Sequence, residues 1–159
     1  MFDRNFLLTI SDDEFIRHCK LEFFKATGAG GQHRNKTFSA VRVTHEASNL
    51  YAEDCSERSQ HRNRANAIHK LKMLIALKFR LPLSDVMPRM ECAMTAPDYP
   101  LFAALVLDIL ESFEYDHKKT AQLCGISSSA LLKKLYRDPQ LYQHFCRCRE
   151  ERNLPKLKV

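Results

Sequence analysis

Glycine is scarce in this sequence: there are four in 159 residues, and three of them are Gly28, Gly30 and Gly31. Other features are missing too. The longest apolar run, "LFAALVLDIL" from Leu101, is far too short to span a bilayer and carries Asp108. The start, "MFDRNFLLTISDDE", has no basic n-region, long apolar core or small-residue cleavage site, and is too acidic for a transit peptide. The expectation is a cytoplasmic protein. No fixed-period repeat or low-complexity tract appears, which excludes solenoids and arrays. The six cysteines form no C-x-x-C pair, and without a secretory signal they read as reduced thiols. Cys146 and Cys148 lack a second pair at ligand spacing, so no metal site is expected. No cofactor is expected either, because neither a dinucleotide fingerprint nor a Walker motif is present.

What is abundant is positive charge. The formal charge is +6 and the pI about 9.1, which favours an anionic partner, nucleic acid first. Between Glu57 and Arg80 there are seven Lys or Arg and one Glu; between Gly28 and His45 there are three basic residues and no acidic one. The cations thus concentrate in the half that holds the glycines.

Along the chain, "SDDE" at Ser11–Glu14 reads as a capping box opening a short helix through about His18. "KLEFFKAT" reads as a strand running into the glycine loop. "SAVRVTH", 39–45, alternates Ala40, Arg42 and Thr44 against Val41 and Val43, as a half-buried strand does. After a turn at "EASN", "LYAEDC" at 50–55 makes an antiparallel hairpin with it. From Glu57 the period becomes helical, with Ile68, Leu71, Ile75 and Phe79 facing the sheet. At 100° per residue, Arg58, Arg62, His69, Lys72 and Arg80 fall within about 40° of one line, a cationic stripe on a helix about 36 Å long. The simpler reading is a solvated helix face; the lack of acidic neighbours in the same segment argues for phosphate contact.

Residues 81–100 carry four of the six prolines and read as irregular. Helices are expected at about 100–114, 117–124, 127–137 and 139–152. "KKTAQLCGISSSALLKKLYRD" resembles a helix-turn-helix, with Gly125 in the turn, Ser127 or Ser128 as cap, and Leu131, Leu132 and Leu135 packed inward. Many small helical bundles contain such a pair, so packing alone is the competing explanation. The fold class expected is α+β: a three- or four-stranded, mostly antiparallel sheet packed with a long helix, then an all-helical segment. The expected division is 1–90, a linker at 91–99, and 100–159.

Three explanations compete for "ATGAGGQHRNKT", Ala26–Thr37. A phosphate cradle would stand before a helix, whereas this loop leads into strand-like sequence and lacks G-x-G-x-x-G and G-K-[ST]. A structural turn needs one or two glycines, not three followed by "QHRNK". The third is a loop whose backbone must come close to a reacting group. Gly30 and Gly31 permit the approach, and Gln32 presents neutral donors and an acceptor able to position water and stabilise an oxyanion.

At this point several blocks fall in order: Gly28-x-Gly30-Gly31-Gln32, Asn35-Lys36-Thr37, Ala40-Val41-Arg42, Thr44-His45 and Glu57-Arg58-Ser59-Gln60-x-x-Asn63. Together they resemble the GGQ domain of class I peptide chain release factors and of codon-independent release factor-like proteins that rescue stalled ribosomes. The resemblance covers about Lys20 to Arg80. It implies that the loop enters the peptidyl transferase centre and promotes hydrolysis of the peptidyl-tRNA ester. Gly30 and Gly31 would set the backbone, and Gln32 would coordinate the attacking water. Gln32 is also the position that family members commonly carry N-methylated. The nucleic-acid-binding set would be His33, Arg34, Asn35, Lys36, Arg42, Arg58, Gln60, Arg62, Asn63 and Arg64, with Lys72 added from the stripe. Arg34 departs from the family, which usually has Val there; the added charge either aids RNA contact or disturbs the loop tip.

The partners implied are the ribosome, through large-subunit rRNA and P-site peptidyl-tRNA, and mRNA or small-subunit rRNA through 117–159. A monomer is expected and no membrane. Neither Ser-Pro-Phe nor Pro-x-Thr occurs, so the chain is not expected to read a stop codon alone. Two rivals remain: a catalytically inactive ribosome- or RNA-binding regulator, and a DNA-binding regulator using 117–137.

Overall fold

The computed structural model describes residues 2–25 and 39–157. The chain forms two compact units, Met1–Ile75 and Ala76–Val159. The fold is α+β: among the described residues there are seven α-helices and one three-stranded antiparallel sheet.

The first unit opens with α1 (Arg4–Thr9) and α2 (Asp12–Arg17). The Asp3 carboxylate accepts from the Phe6 amide at 3.0 Å and caps α1; this helix has only six residues, too few for a period to show in the sequence. Ser11 Oγ accepts from the Glu14 amide at 3.3 Å, as the capping box requires. Glu14 gives its carboxylate to Arg17 at 2.9 Å.

The strands are β1 (Lys20–Phe24), β2 (Ala40–His45) and β3 (Leu50–Asp54), in that spatial order. Asn49 takes the left-handed conformation (φ 53°) that closes the β2–β3 connection. The register pairs Leu21 with Val43 and Val43 with Ala52, and Phe23 with Val41 and Val41 with Asp54. These rows share a face, and Val41 and Val43 are fully buried on it. The opposite face carries Glu22, Arg42 and Glu53 in one row. α3 (Gln60–Lys78) follows, with Ala67, Ile68, Leu71 and Ile75 buried at helical spacing.

Residues 79–98 contain no helix or strand, as four prolines between 81 and 100 lead one to expect. The second unit is built on α4 (Tyr99–Ser112), which is buried nearly all round from Tyr99 to Leu110. Asp108 on this helix accepts from Arg80 Nη1 at 3.3 Å and from the Leu81 amide at 3.0 Å. Three short helices complete the unit: α5 (His117–Leu123), α6 (Ser128–Arg137) and α7 (Pro139–Glu151). Each has a side-chain cap, from Asp116, Ser127 and Asp138 respectively. Gly125 turns the chain between α5 and α6 at φ +67°. Leu131 and Leu135 are fully buried, while Leu132 is only half-buried. Asp138 also accepts from the buried Tyr99 hydroxyl at 3.0 Å. Arg149 is buried, donating to the Tyr115 carbonyl at 2.7 Å and the Pro155 carbonyl at 3.0 Å. None of the six cysteines forms a disulfide. No helix among the described residues is long and apolar enough to cross a membrane.

Candidate functional site

The candidate catalytic residues Gly30, Gly31 and Gln32, and the neighbouring His33, Arg34, Asn35 and Lys36, lie outside the described residues. What is described is the frame on either side. β1 ends where β2 begins: Phe24 and Ala40 are direct partners across the antiparallel ladder. The segment 25–39 therefore leaves and re-enters the sheet at adjacent positions.

Asn63 fixes the re-entry side. Its Nδ2 donates to the Ser39 carbonyl at 2.7 Å and to the Glu57 carbonyl at 2.9 Å, while its Oδ1 accepts from the Glu57 amide at 2.9 Å. A fully buried side-chain amide thus binds the start of β2 to the approach to α3. Three hydrogen bonds and no exposure make Asn63 a positioning residue. Asn63 was expected among the RNA contacts; its side chain is buried.

A second polar cluster ties β3 to α3. Asp54 lies on the buried face of the sheet and accepts from Lys70 Nζ at 2.5 Å, Ser56 Oγ at 2.8 Å, the Ser56 amide at 3.1 Å and Asn66 Nδ2 at 3.4 Å. Burial pushes its carboxyl up, but these hydrogen bonds outweigh that and hold it below the usual carboxylate range. Its role escapes a motif search, yet alternation from Ala52 puts residue 54 on the inner face.

The cationic stripe does not survive as a solvent-facing line. Lys72 is 4% exposed. Its ammonium donates to the Ile10 carbonyl and to Asp12 Oδ1, both at 2.9 Å, and lies 5.1 Å from the Phe15 ring centroid. Helix phase placed Lys72 beside Arg58 and Arg62 as an expected RNA contact; in the fold its ammonium is held by the turn at Ile10 and by Asp12 and Phe15 of α2. Arg80 is in the second unit's pair with Asp108. Arg64 pairs with Asp13 at 3.1 Å, and Arg62 with Glu57 at 3.6 Å. Glu57 is the segment's own acid; the other acidic partners, Asp12, Asp13, Asp54 and Asp108, come from elsewhere in the chain.

Arg42 lies on the outer face of the sheet, bonded through Nε and Nη2 to Glu53, with Phe24 and Tyr51 ring centroids 5.5 and 5.3 Å from its guanidinium. The Glu53 hydrogen bond pushes its pKa up. Arg58 and Gln60 are exposed, and Arg62 has 72% of its side chain exposed despite its pair. Of the expected RNA-facing set within the described residues, Arg58, Gln60 and Arg62 are gathered on the start of α3. Arg42 is separate, on the sheet.

Against this geometry, comparison with known proteins is direct. Residues 9–85 match the family model described as the RF-1 domain. The chain is 43% identical over 81 residues to peptide chain release factor 2 of Rickettsia felis, covering 51% of this chain and 20% of the relative. It is 53% identical over 67 residues to release factor 2 of Bordetella avium, covering 42% of this chain and 18% of the relative. It is 49% identical over 61 residues to peptide chain release factor 1 of Variovorax paradoxus, covering 38% and 17%. The chain therefore spans a fifth or less of the length of these relatives. The matched span takes in the sheet, the Asn63 and Asp54 clusters and all of α3. Helices α4–α7 lie beyond it.

Proposed function

We propose that this protein acts on the ribosome as a release or rescue factor, promoting hydrolysis of the peptidyl-tRNA ester in the peptidyl transferase centre without reading a stop codon. The observation that carries the reading is the ordered motif string from Gly28 to Asn63 inside an RF-1 domain. Chemically, Gly30 and Gly31 let the backbone approach the ester, and Gln32 holds the attacking water and the developing oxyanion with neutral groups. The adjacent frame ends at Phe24 and Ala40, and the Asn63 anchor, give such a loop a fixed base. His33, Arg34, Asn35 and Lys36, with Arg58, Gln60 and Arg62, are the RNA contacts of this proposal. Arg42 and Arg64 contribute through whatever charge their carboxylate partners leave. Residues 1–90 are the hydrolytic part, 91–99 the linker, and 100–159 the part that directs it.

Codon independence rests on the absence of Ser-Pro-Phe and Pro-x-Thr from these 159 residues. The test is release of formyl-methionine from ribosomes, with and without a stop codon and with and without mRNA beyond the P site. Wild type is compared with Gln32→Ala and Gly31→Ala. Release by wild type alone, indifferent to the codon, is the expected result. Equal release by all three, or none by wild type, sinks the catalytic claim. Ribosome pelleting without any release favours the second reading, an inactive ribosome-binding regulator, which Arg34 motivates.

A further inference from the structure

The chain has a second cationic surface, and it differs from the first in one respect. From His117 to Arg137 there are five Lys or Arg and no Asp or Glu. α3 has a similar local excess, yet acidic side chains from elsewhere neutralise much of it. On α5 and α6 this does not happen. The unit's ion pairs join Arg80 to Asp108, Arg89 to Asp98, Arg147 to Glu151, Arg152 to Glu111 and Lys156 to Glu150. Among the described residues, none of Lys118, Lys119, Lys133, Lys134 and Arg137 has such a partner. The two acids that flank the segment, Asp116 and Asp138, cap helices, and Asp116 acts on Lys119 through its charge without forming an ion pair.

The cations also lie outward. On α5, Thr120 and Ala121 are buried, while Lys118, Lys119 and Gln122 are exposed on the opposite side. On α6, Leu131 and Leu135 are buried, while Ser129, Lys133 and Arg137 form an exposed row at i, i+4, i+8. Beside that row stands Tyr136, 58% exposed, its ring edge-on to Tyr142 at 5.2 Å. Unpaired cations around an exposed aromatic suit a phosphate backbone with accessible bases, since cations neutralise phosphates and aromatic faces stack bases. An acidic protein surface would use the cations but leave Tyr136 without a role.

We infer that the outer face of α5 and α6 is an RNA-binding surface, in which Lys118, Lys119, Lys133 and Arg137 contact phosphates of ribosomal or messenger RNA and Tyr136 stacks on a base. The choice of RNA rests on the ribosomal reading above. It makes the helical part a second anchor for the protein on its target.

The test is ribosome pelleting of the full chain from about 50 to about 200 mM salt. Wild type is compared with a variant carrying Lys118→Gln, Lys119→Gln, Lys133→Gln and Arg137→Gln. A two-site variant, Lys118→Gln with Lys119→Gln, gives a milder step. Four lost phosphate contacts should lower the log–log salt slope by about 3 and the affinity by at least about tenfold. The two-site variant should fall between. Unchanged affinity and slope overturn the inference, as does a loss seen only on a DNA duplex and not on ribosomes. The release assay separates the two claims. If Gln32→Ala abolishes release while the four-site variant binds normally, the hydrolytic reading stands and this one fails. If the four-site variant loses binding while wild type shows no release, the reverse holds.

Discussion

Lys72 separates two ways of reading α3, so it carries the sharpest prediction. As a member of a cationic stripe, its loss would weaken RNA binding and leave stability alone. Its surroundings say the opposite. The side chain is 5% exposed, and its ammonium holds the Ile10 carbonyl and Asp12 Oδ1 at 2.9 Å each. Lys72→Met keeps the stem and removes the charge. The Ile10 carbonyl then loses its side-chain donor, at about 1–3 kcal/mol. The Asp12 pair is half exposed on the acid side and contributes about 1 kcal/mol or less. The contact with Phe15 adds about 1 kcal/mol. The ammonium's burial cost is relieved, so a net loss of about 2–3 kcal/mol is expected.

For a unit of this size that loss lowers the melting midpoint by about 10 °C or more. The assay is thermal denaturation followed by circular dichroism, run beside ribosome pelleting at a temperature where the variant is folded. Pelleting should match wild type. Asp12→Asn should cost only about 1 kcal/mol or less, because that carboxylate stays in water. An unchanged midpoint together with lost pelleting would refute the argument and return Lys72 to the RNA surface.

Asn63→Leu should destabilise the first unit by about 3 kcal/mol, since it leaves the Ser39 and Glu57 carbonyls and the Glu57 amide without this partner; urea titration reads it, and a loss under about 1 kcal/mol contradicts the anchor role. His45 is buried, its Nδ1 has no hydrogen-bond partner among the described residues, and burial followed by the His18 charge lowers its pKa below 6.5. The unfolded state therefore binds the proton more readily, and stability is full above about pH 6.5 and falls as pH drops toward the folded value. Urea midpoints at several pH values check this, and His45→Phe should flatten the acid limb of the first unit's transition; an unchanged slope removes His45 as its source. Gly125→Ala places a Cβ in open space but at φ +67°, so the cost is conformational only, about 1 kcal/mol; a loss above about 3 kcal/mol would mean a packing role that the structure does not contain.

Much of the architecture was legible from the residues, and for identifiable reasons. Among the C-terminal helices, α5 and α6 were readable because Gly125 marks the turn between them, Ser127 caps the second, and Leu131 and Leu135 recur at helical spacing. The β2–β3 hairpin was readable because alternation in "AVRVTH" survives, with Arg42 and Thr44 on the wetter side. α1 was not, since six residues show no period and only the Asp3 cap announces it. The loop itself was recognised by motif alone, through Gly28 to Lys36, and its geometry lies outside the described residues. Asn63 was singled out by its motif, and its burial was not legible there. A buried amide bonded to backbone is invisible to charge counting, whereas a motif records only that the residue is there.

The electrostatic lesson is more general than one lysine. A local count of charge treats each segment as if the rest of the chain were absent, yet folding brings Asp12 to within 2.9 Å of Lys72, Asp13 to 3.1 Å from Arg64 and Asp54 to 2.5 Å from Lys70. α3 and the α5–α6 segment look alike in the sequence, both rich in Lys and Arg and almost free of acid. Folding separates them. Around α3 part of the excess is taken up by Asp12, Asp13 and Asp54, while Arg58, Arg62 and Lys78 stay exposed. On α5 and α6, Lys118, Lys119, Lys133 and Arg137 stay exposed, and among the described residues none of them forms an ion pair. Counterions must accompany those four cations in solution, and a polyanion that displaces them gains the entropy of their release. That gain makes salt, rather than any single substitution, the variable on which the two basic regions should differ most. Binding through α5 and α6 should weaken steeply as salt rises. The α3 pairs that sit inside the fold should hardly respond.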